Sequence, residues 1–116
     1  MITIQDFEDI LENGIISKKK VILKISATWC EPCKRIKPMW ENIKYTYDIC
    51  SKCIVVEIDV DESNDIYTTL KRKRMLNGIP AFLMWEPRER SNWYAHDNGI
   101  CNGDPNIVKL WIQNML

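Results

Sequence analysis

Cys30 and Cys33 stand three residues apart, and the sequence around them sets the chemistry they can do. Upstream, the apolar run 21–27 (Val-Ile-Leu-Lys-Ile-Ser-Ala) reads as a strand. Downstream, Ile36, Trp40, Ile43 and Tyr47 recur at spacings of four, three and four, which marks one buried helix face. Cys30 therefore falls where a strand gives way to the first turn of a helix. The N–H groups of that turn have no helical partners and its dipole end is positive. A thiolate at that place is stabilised, so it is nucleophilic at neutral pH. Cys33, one turn on, is near enough to close a disulfide with Cys30 and lies deeper. Pro32 fixes φ between them and suits an early helical position. The pair is equipped for thiol–disulfide exchange.

The elements that must position this pair can be read along the chain. Residues 1–4 read as a short edge strand, and Phe7, Ile10 and Leu11 as one face of a first helix ending near Gly14. Lys18, Lys19 and Lys20 form a solvated turn. The run 21–27 is too apolar to alternate, as in a central strand covered on both faces. The β-branched run 54–60 reads as a second central strand. Asp61 or Ser63 caps a third helix bearing Ile66 and Leu70. A strand at 81–85 follows Pro80, residues 87–92 turn, and 93–95 pair back as an edge strand. Asp104 and Pro105 open a last helix, as N-cap and first residue, with Ile107, Val108, Trp111 and Met115 buried. Two strands with a helix between them make a βαβ unit, hence a right-handed parallel crossover. The hairpin after Pro80 makes the sheet mixed.

At 116 residues the chain suits one domain, 1–116, with a core that needs no staples. Sixteen basic residues balance sixteen acidic ones, so no net field draws it to nucleic acid or a membrane. No apolar run approaches membrane-spanning length, and the opening residues do not follow a signal-peptide pattern. Five cysteines cannot all pair internally. A reducing, cytoplasmic setting with most thiols free fits this usage.

The window 29–34, Trp-Cys-Glu-Pro-Cys-Lys, resembles the thioredoxin active site Trp-Cys-Gly-Pro-Cys-Lys, with Glu31 in place of glycine. Pro38, five residues after Cys33, matches the proline that kinks the thioredoxin helix. Gly78-Ile79-Pro80 resembles the thioredoxin segment whose proline is cis and faces the active cysteines. The likeness runs from Phe7 to the C-terminal helix; the stretches 61–80 and 80–99 are a few residues longer than in thioredoxins generally. It implies an α/β, thioredoxin-like fold with a central mixed sheet flanked by helices. It also implies a protein-disulfide reductase in which Cys30 attacks a substrate disulfide and Cys33 resolves the mixed disulfide. Trp29, Pro32, Gly78, Ile79 and Pro80 would line the substrate groove. The partners would be disulfide-containing proteins and a thioredoxin reductase or small thiol as reductant. The protein would act as a monomer, with no cofactor and no metal.

One departure from the family concerns charge. Thioredoxins carry a buried aspartate six residues before the first cysteine; here that position is Lys24. A lone buried ammonium is costly. Thioredoxins often place a lysine on the neighbouring strand, where this chain has Glu57. Lys24 and Glu57 are therefore expected to meet beneath Cys33, with Glu57 as proton acceptor. The alternative is a Lys24 that snorkels to the sheet edge and a Glu57 in solvent.

The remaining motifs carry less chemistry. Cys50 and Cys53 repeat the C-x-x-C spacing, but a helix over 34–47 would hold the two pairs roughly 20 Å apart, beyond the reach of one zinc ion. They read as small residues at a helix end, with spacing that permits a disulfide. Cys101 reads as a free loop thiol, and His96 is given no role. Lys71, Arg72, Lys73 and Arg74 point in four directions on a helix and form no single basic face. Two other functions stay open here: a binding module with secondary redox activity, and a membrane-tethered thiol reductase of the cytochrome-maturation kind. The latter would need an anchor and a central insertion.

Overall fold

The computed structural model describes residues 1–116. Strand β1 (Val21–Ser26) has a neighbour on each side and is buried from Val21 to Ile25. That burial is why its sequence cannot alternate. β2 (Ile54–Asp59) pairs with it in parallel and β3 (Ala81–Trp85) antiparallel on its other side. β4 (Asn98–Cys101) lies antiparallel to β3, giving the order β2-β1-β3-β4. Five helices precede, separate or follow the strands: α1 (Ile4–Ser17), α2 (Glu31–Thr46), short α3 (Ile49–Lys52), α4 (Asn64–Arg72) and α5 (Pro105–Met115). On one face Leu23, Ile25 and Trp85 pack with Phe7 of α1 and Ile66 and Leu70 of α4. On the other, Ile22, Phe82 and Met84 pack with Ile36 and Trp40 of α2 and Val108 and Ile112 of α5. The mixed sheet flanked by helices agrees with the expected class.

Five expectations need correction. The run 54–60 is not a central strand: β2 lies at the sheet edge, with β1 as its one neighbour, and is only partly buried. Residues 1–3 form no strand, because Thr3 and Asp6 start α1 instead. The Thr3 hydroxyl accepts from Asp6 N at 3.1 Å and Thr3 N donates to the Asp6 carboxylate at 2.9 Å. The first helix does not end at Gly14 but runs to Ser17, closed by Lys18 at φ 57. Gly14 marks a close approach: a Cβ there would lie 2.9 Å from Val21 Cγ2 and 3.0 Å from Lys19 O.

Residues 93–95 do not pair as an edge strand; Asn98–Cys101 does. The Trp93 carbonyl accepts from Trp85 Nε1 at 2.6 Å, and Arg90 Nη1 holds the Ala95 carbonyl at 2.6 Å. These bonds occupy 93–95 in a turn. On α5, Ile112 takes the core position and Ile107 is exposed.

Candidate active site

The turn between β1 and α2 is fixed by backbone and carboxylate bonds. Asp59, at the end of β2, accepts from Thr28 N at 3.1 Å and from Asp61 N at 2.8 Å. Asp61 in turn accepts from Trp29 Nε1 at 3.0 Å, which holds the exposed Trp29 ring beside the cysteines. Cys30 is the N-cap of α2, and Cys33 N points at its Sγ across 3.3 Å. An unpartnered first-turn N–H thus serves the sulfur, as its place in the sequence required. Cys30 and Cys33 are joined as a disulfide with Cα atoms 5.2 Å apart.

The expected contrast between an accessible Cys30 and a buried Cys33 is absent in this disulfide form: they are 6% and 4% exposed. Both pack into the apolar cluster that holds Ala27 and Val60. Glu31 turns outward and accepts from Lys34 Nζ at 3.1 Å.

Beside the disulfide lies a cleft of about 720 Å³, whose wall includes Pro32, Gly78, Ile79 and Pro80. The Ile79–Pro80 bond is cis, as expected. Gly103 closes the opposite wall on Pro32; a Cβ at Gly103 would meet Pro32 Cβ at 2.8 Å.

Beneath Cys33 a second cavity, about 470 Å³, is shared by Lys24, Glu57 and Asp59. Lys24 and Glu57 are register partners across β1 and β2, and Lys24 Nζ lies 3.7 Å from Glu57 Oε1. Lys24 is only 7% exposed, so it does not snorkel free. Glu57 also accepts from Trp40 Nε1 at 3.1 Å and from Lys44 Nζ at 2.8 Å. Burial lowers the Lys24 pKa against the opposing charge of Glu57. Burial alone would raise that of Glu57, but the bonds from Lys44 and Trp40 and the charges of Lys44 and Lys24 hold it below the ordinary value. The sequence marked Trp40 only as a core residue and gave Lys44 no role. Their spacing of four on α2 was the available signal, since it places both on the face above β2.

The second cysteine pair is unbonded. Cys50 is exposed on α3 and Cys53 is buried at its end, where desolvation pushes its thiol pKa up. The long helix α2 lies between the two pairs. Cys101 is exposed at the end of β4 rather than in a loop. No helix is long and apolar enough to cross a membrane.

A dithiol at a helix N-terminus, set on a mixed sheet beside a cis-proline, defines a thiol–disulfide oxidoreductase. The thioredoxin family model matches residues 1–99. Human thioredoxin is 40% identical over 80 residues, which is 69% of this chain and 70% of that protein. Pig thioredoxin is 35% identical over 92 residues, 79% of each. Among solved structures, Schistosoma mansoni thioredoxin superposes with a TM-score of 0.71 at 25% identity, covering 100% of this chain and 93% of the other. Drosophila Deadhead, a germline-specific thioredoxin, gives 0.69 at 21%, covering 98% and 95%. The chain belongs to the thioredoxin family.

Proposed function

We propose that this chain reduces disulfide bonds in proteins. The Cys30 thiolate attacks one sulfur of a substrate disulfide, forms a mixed disulfide and expels a substrate thiolate. The Cys33 thiolate then attacks Cys30 Sγ, which forms the Cys30–Cys33 disulfide and expels the second substrate thiolate. The substrate gains two electrons and the chain loses two. A thioredoxin reductase or a small thiol returns them, so the protein passes electrons from that donor to its substrates. We place it in a reducing compartment, the cytoplasm, acting as a monomer. The observation that carries this reading is the Cys30–Cys33 pair at the start of α2 beside cis Ile79–Pro80. Trp29 and Pro32 flank the approach to Cys30, and Gly78, Ile79 and Pro80 offer backbone groups to the substrate strand.

Cys33 must lose a proton before it attacks. The sequence suggested Glu57 as acceptor. The electrostatics favour Lys24: Glu57 is held as an anion by Trp40 and Lys44, whereas burial moves Lys24 toward its neutral amine. Glu57 then tunes Lys24 as a positioning residue. An insulin-reduction assay run once with thioredoxin reductase and NADPH, and once with glutathione, tests the function. Turnover with either donor, abolished in Cys30→Ser, is expected. A Cys33→Ser variant should accumulate the mixed disulfide. Absence of insulin reduction with both donors would reject the reading.

A further inference from the structure

The cleft beside the disulfide is walled by donors. Arg35 stands one turn after Pro32 on α2, exposed and facing Gly103, where a Cβ would lie 3.6 Å from Arg35 Nη2. It forms no ion pair, whereas the adjacent cation Lys34 is held by Glu31 at 3.1 Å. The one acid of this cleft is committed elsewhere: Asp104 caps α5, accepting from Asn106 N at 2.9 Å. Asn102 uses its carbonyl on Asp104 N at 2.8 Å, which leaves its amide N–H groups for the cleft. Asn77, on the same wall, bonds to no other side chain. The wall therefore offers a guanidinium outside any ion pair and amide donors, beside one carboxylate, Asp104, whose charge is set against the N-terminus of α5. A guanidinium fork matches a carboxylate.

We propose that Arg35 makes this cleft select protein disulfides that carry an aspartate or glutamate close to the attacked cysteine. The proposal rests on the reductase reading above, since the cleft must receive the substrate strand. A substrate acid would meet Arg35 as a rim charge, where complementarity governs partner choice and encounter rate.

The test uses disulfide-linked peptides with glutamate or lysine at each of the three positions on either side of the attacked cysteine. kcat/KM is measured for the wild type, Arg35→Glu and Arg35→Lys. At one or more positions the wild type should prefer glutamate over lysine by roughly three- to tenfold, the range for an exposed pair gained in one peptide and repelled in the other. Arg35→Glu should reverse the preference at that position, Arg35→Lys should keep its sign, and raised salt should shrink it. Equal glutamate-to-lysine ratios in wild type and Arg35→Glu at every position would overturn the selectivity and leave the reductase reading intact. Failure of the wild type to reduce any peptide would instead overturn the reductase reading, and the selectivity with it.

Discussion

Lys24→Met separates the proton carrier from its surroundings. Methionine keeps the length of the side chain and removes the amine. Glu57 would lose the partner at 3.7 Å and keep Trp40 at 3.1 Å and Lys44 at 2.8 Å. No unpaired buried charge results, so stability should change by no more than about 1 kcal/mol. The kinetic effect should be larger. A group in direct contact that moves a proton contributes about 10²–10⁴-fold. Lys24 reaches Cys33 across a cavity of about 470 Å³, room for water to relay the proton. We therefore expect the low end, about hundredfold.

The step can be isolated. Cys30 is loaded with 5-thio-2-nitrobenzoate, and attack by Cys33 releases the coloured thiolate. Glu57→Gln removes the opposite charge rather than the carrier. At about 4 Å such a pair interacts by about 1 kcal/mol in water and about 4 kcal/mol near a protein surface. Glu57 keeps 39% of its side chain exposed, which favours the low figure; losing its charge moves Lys24 further toward the neutral amine, so release should be no slower and at most roughly fivefold faster. Release should thus slow in Lys24→Met and not in Glu57→Gln. Loading of Cys30 should change little in either. In the wild type, release should accelerate with pH as the Cys33 thiol and the Lys24 amine deprotonate, and Lys24→Met should shift that rise to higher pH. Wild-type release with an unchanged pH profile in Lys24→Met would refute the assignment. A greater loss in Glu57→Gln would return the role to Glu57.

Glu57 ionises below its unfolded value of 4.5, so the stability it contributes is present above that pH and lost as pH falls through the folded pKa. The melting gap between wild type and Glu57→Gln, about 1–2 kcal/mol at neutral pH, should close on acidification below 4.5. Asp97→Ala strips the loop 86–97 of the carboxylate that accepts from Glu86 N at 2.7 Å and pairs with Arg90 at 3.0 Å. Arg90 is nearly buried, so urea unfolding should show a loss of about 2–3 kcal/mol. Thr3→Ala removes the α1 cap and should cost about 1 kcal/mol by the same measurement. Glu31→Gly should alter alkylation of reduced Cys30 by less than about twofold, because Glu31 is exposed and already paired with Lys34.

What the sequence disclosed follows from how local each signal is. The dithiol, its helix and the Asp104 cap were legible because period and capping act within a few residues. Lys24 facing Glu57 was legible through the thioredoxin resemblance, which sets the two positions on neighbouring strands, and the parallel register of β1 with β2 agrees. The fourth strand was not, since Asn98-Gly99-Ile100-Cys101 carries one large apolar side chain and borrows its place from β3. Its rival at 93–95 looked more strand-like. What removed the rival was Arg90 bonding the Ala95 carbonyl and Asp97 bonding Arg88 and Arg90, contacts between side chains too irregular for any period to signal. Thr3 was misread because the four apolar or β-branched residues 1–4 suit a strand. Only the reciprocal bonds between Thr3 and Asp6 decide for a helix.

The charges beneath the disulfide gain their meaning as a set. Lys24 by itself would be a buried cation, and Glu57 by itself a carboxylate free to take a proton. With Lys44 on α2, which also binds Glu41 at 3.2 Å, two cations and two anions balance. Within that balance the partners differ. Lys44 is held above its ordinary value by bonds to Glu57 and Glu41, although burial opposes them, and Glu57 is held below its own. Both are locked in their charged forms across the range where thiols titrate. Lys24 alone is moved by burial toward neutrality, and its cavity is the one that reaches Cys33. Replacing an acid by a lysine on β1 thus keeps a titratable group under the second cysteine, and the Lys44 charge offsets the hold of Glu57 on the Lys24 ammonium. Lys44→Met should consequently slow Cys33 attack even though Lys44 is absent from that cavity.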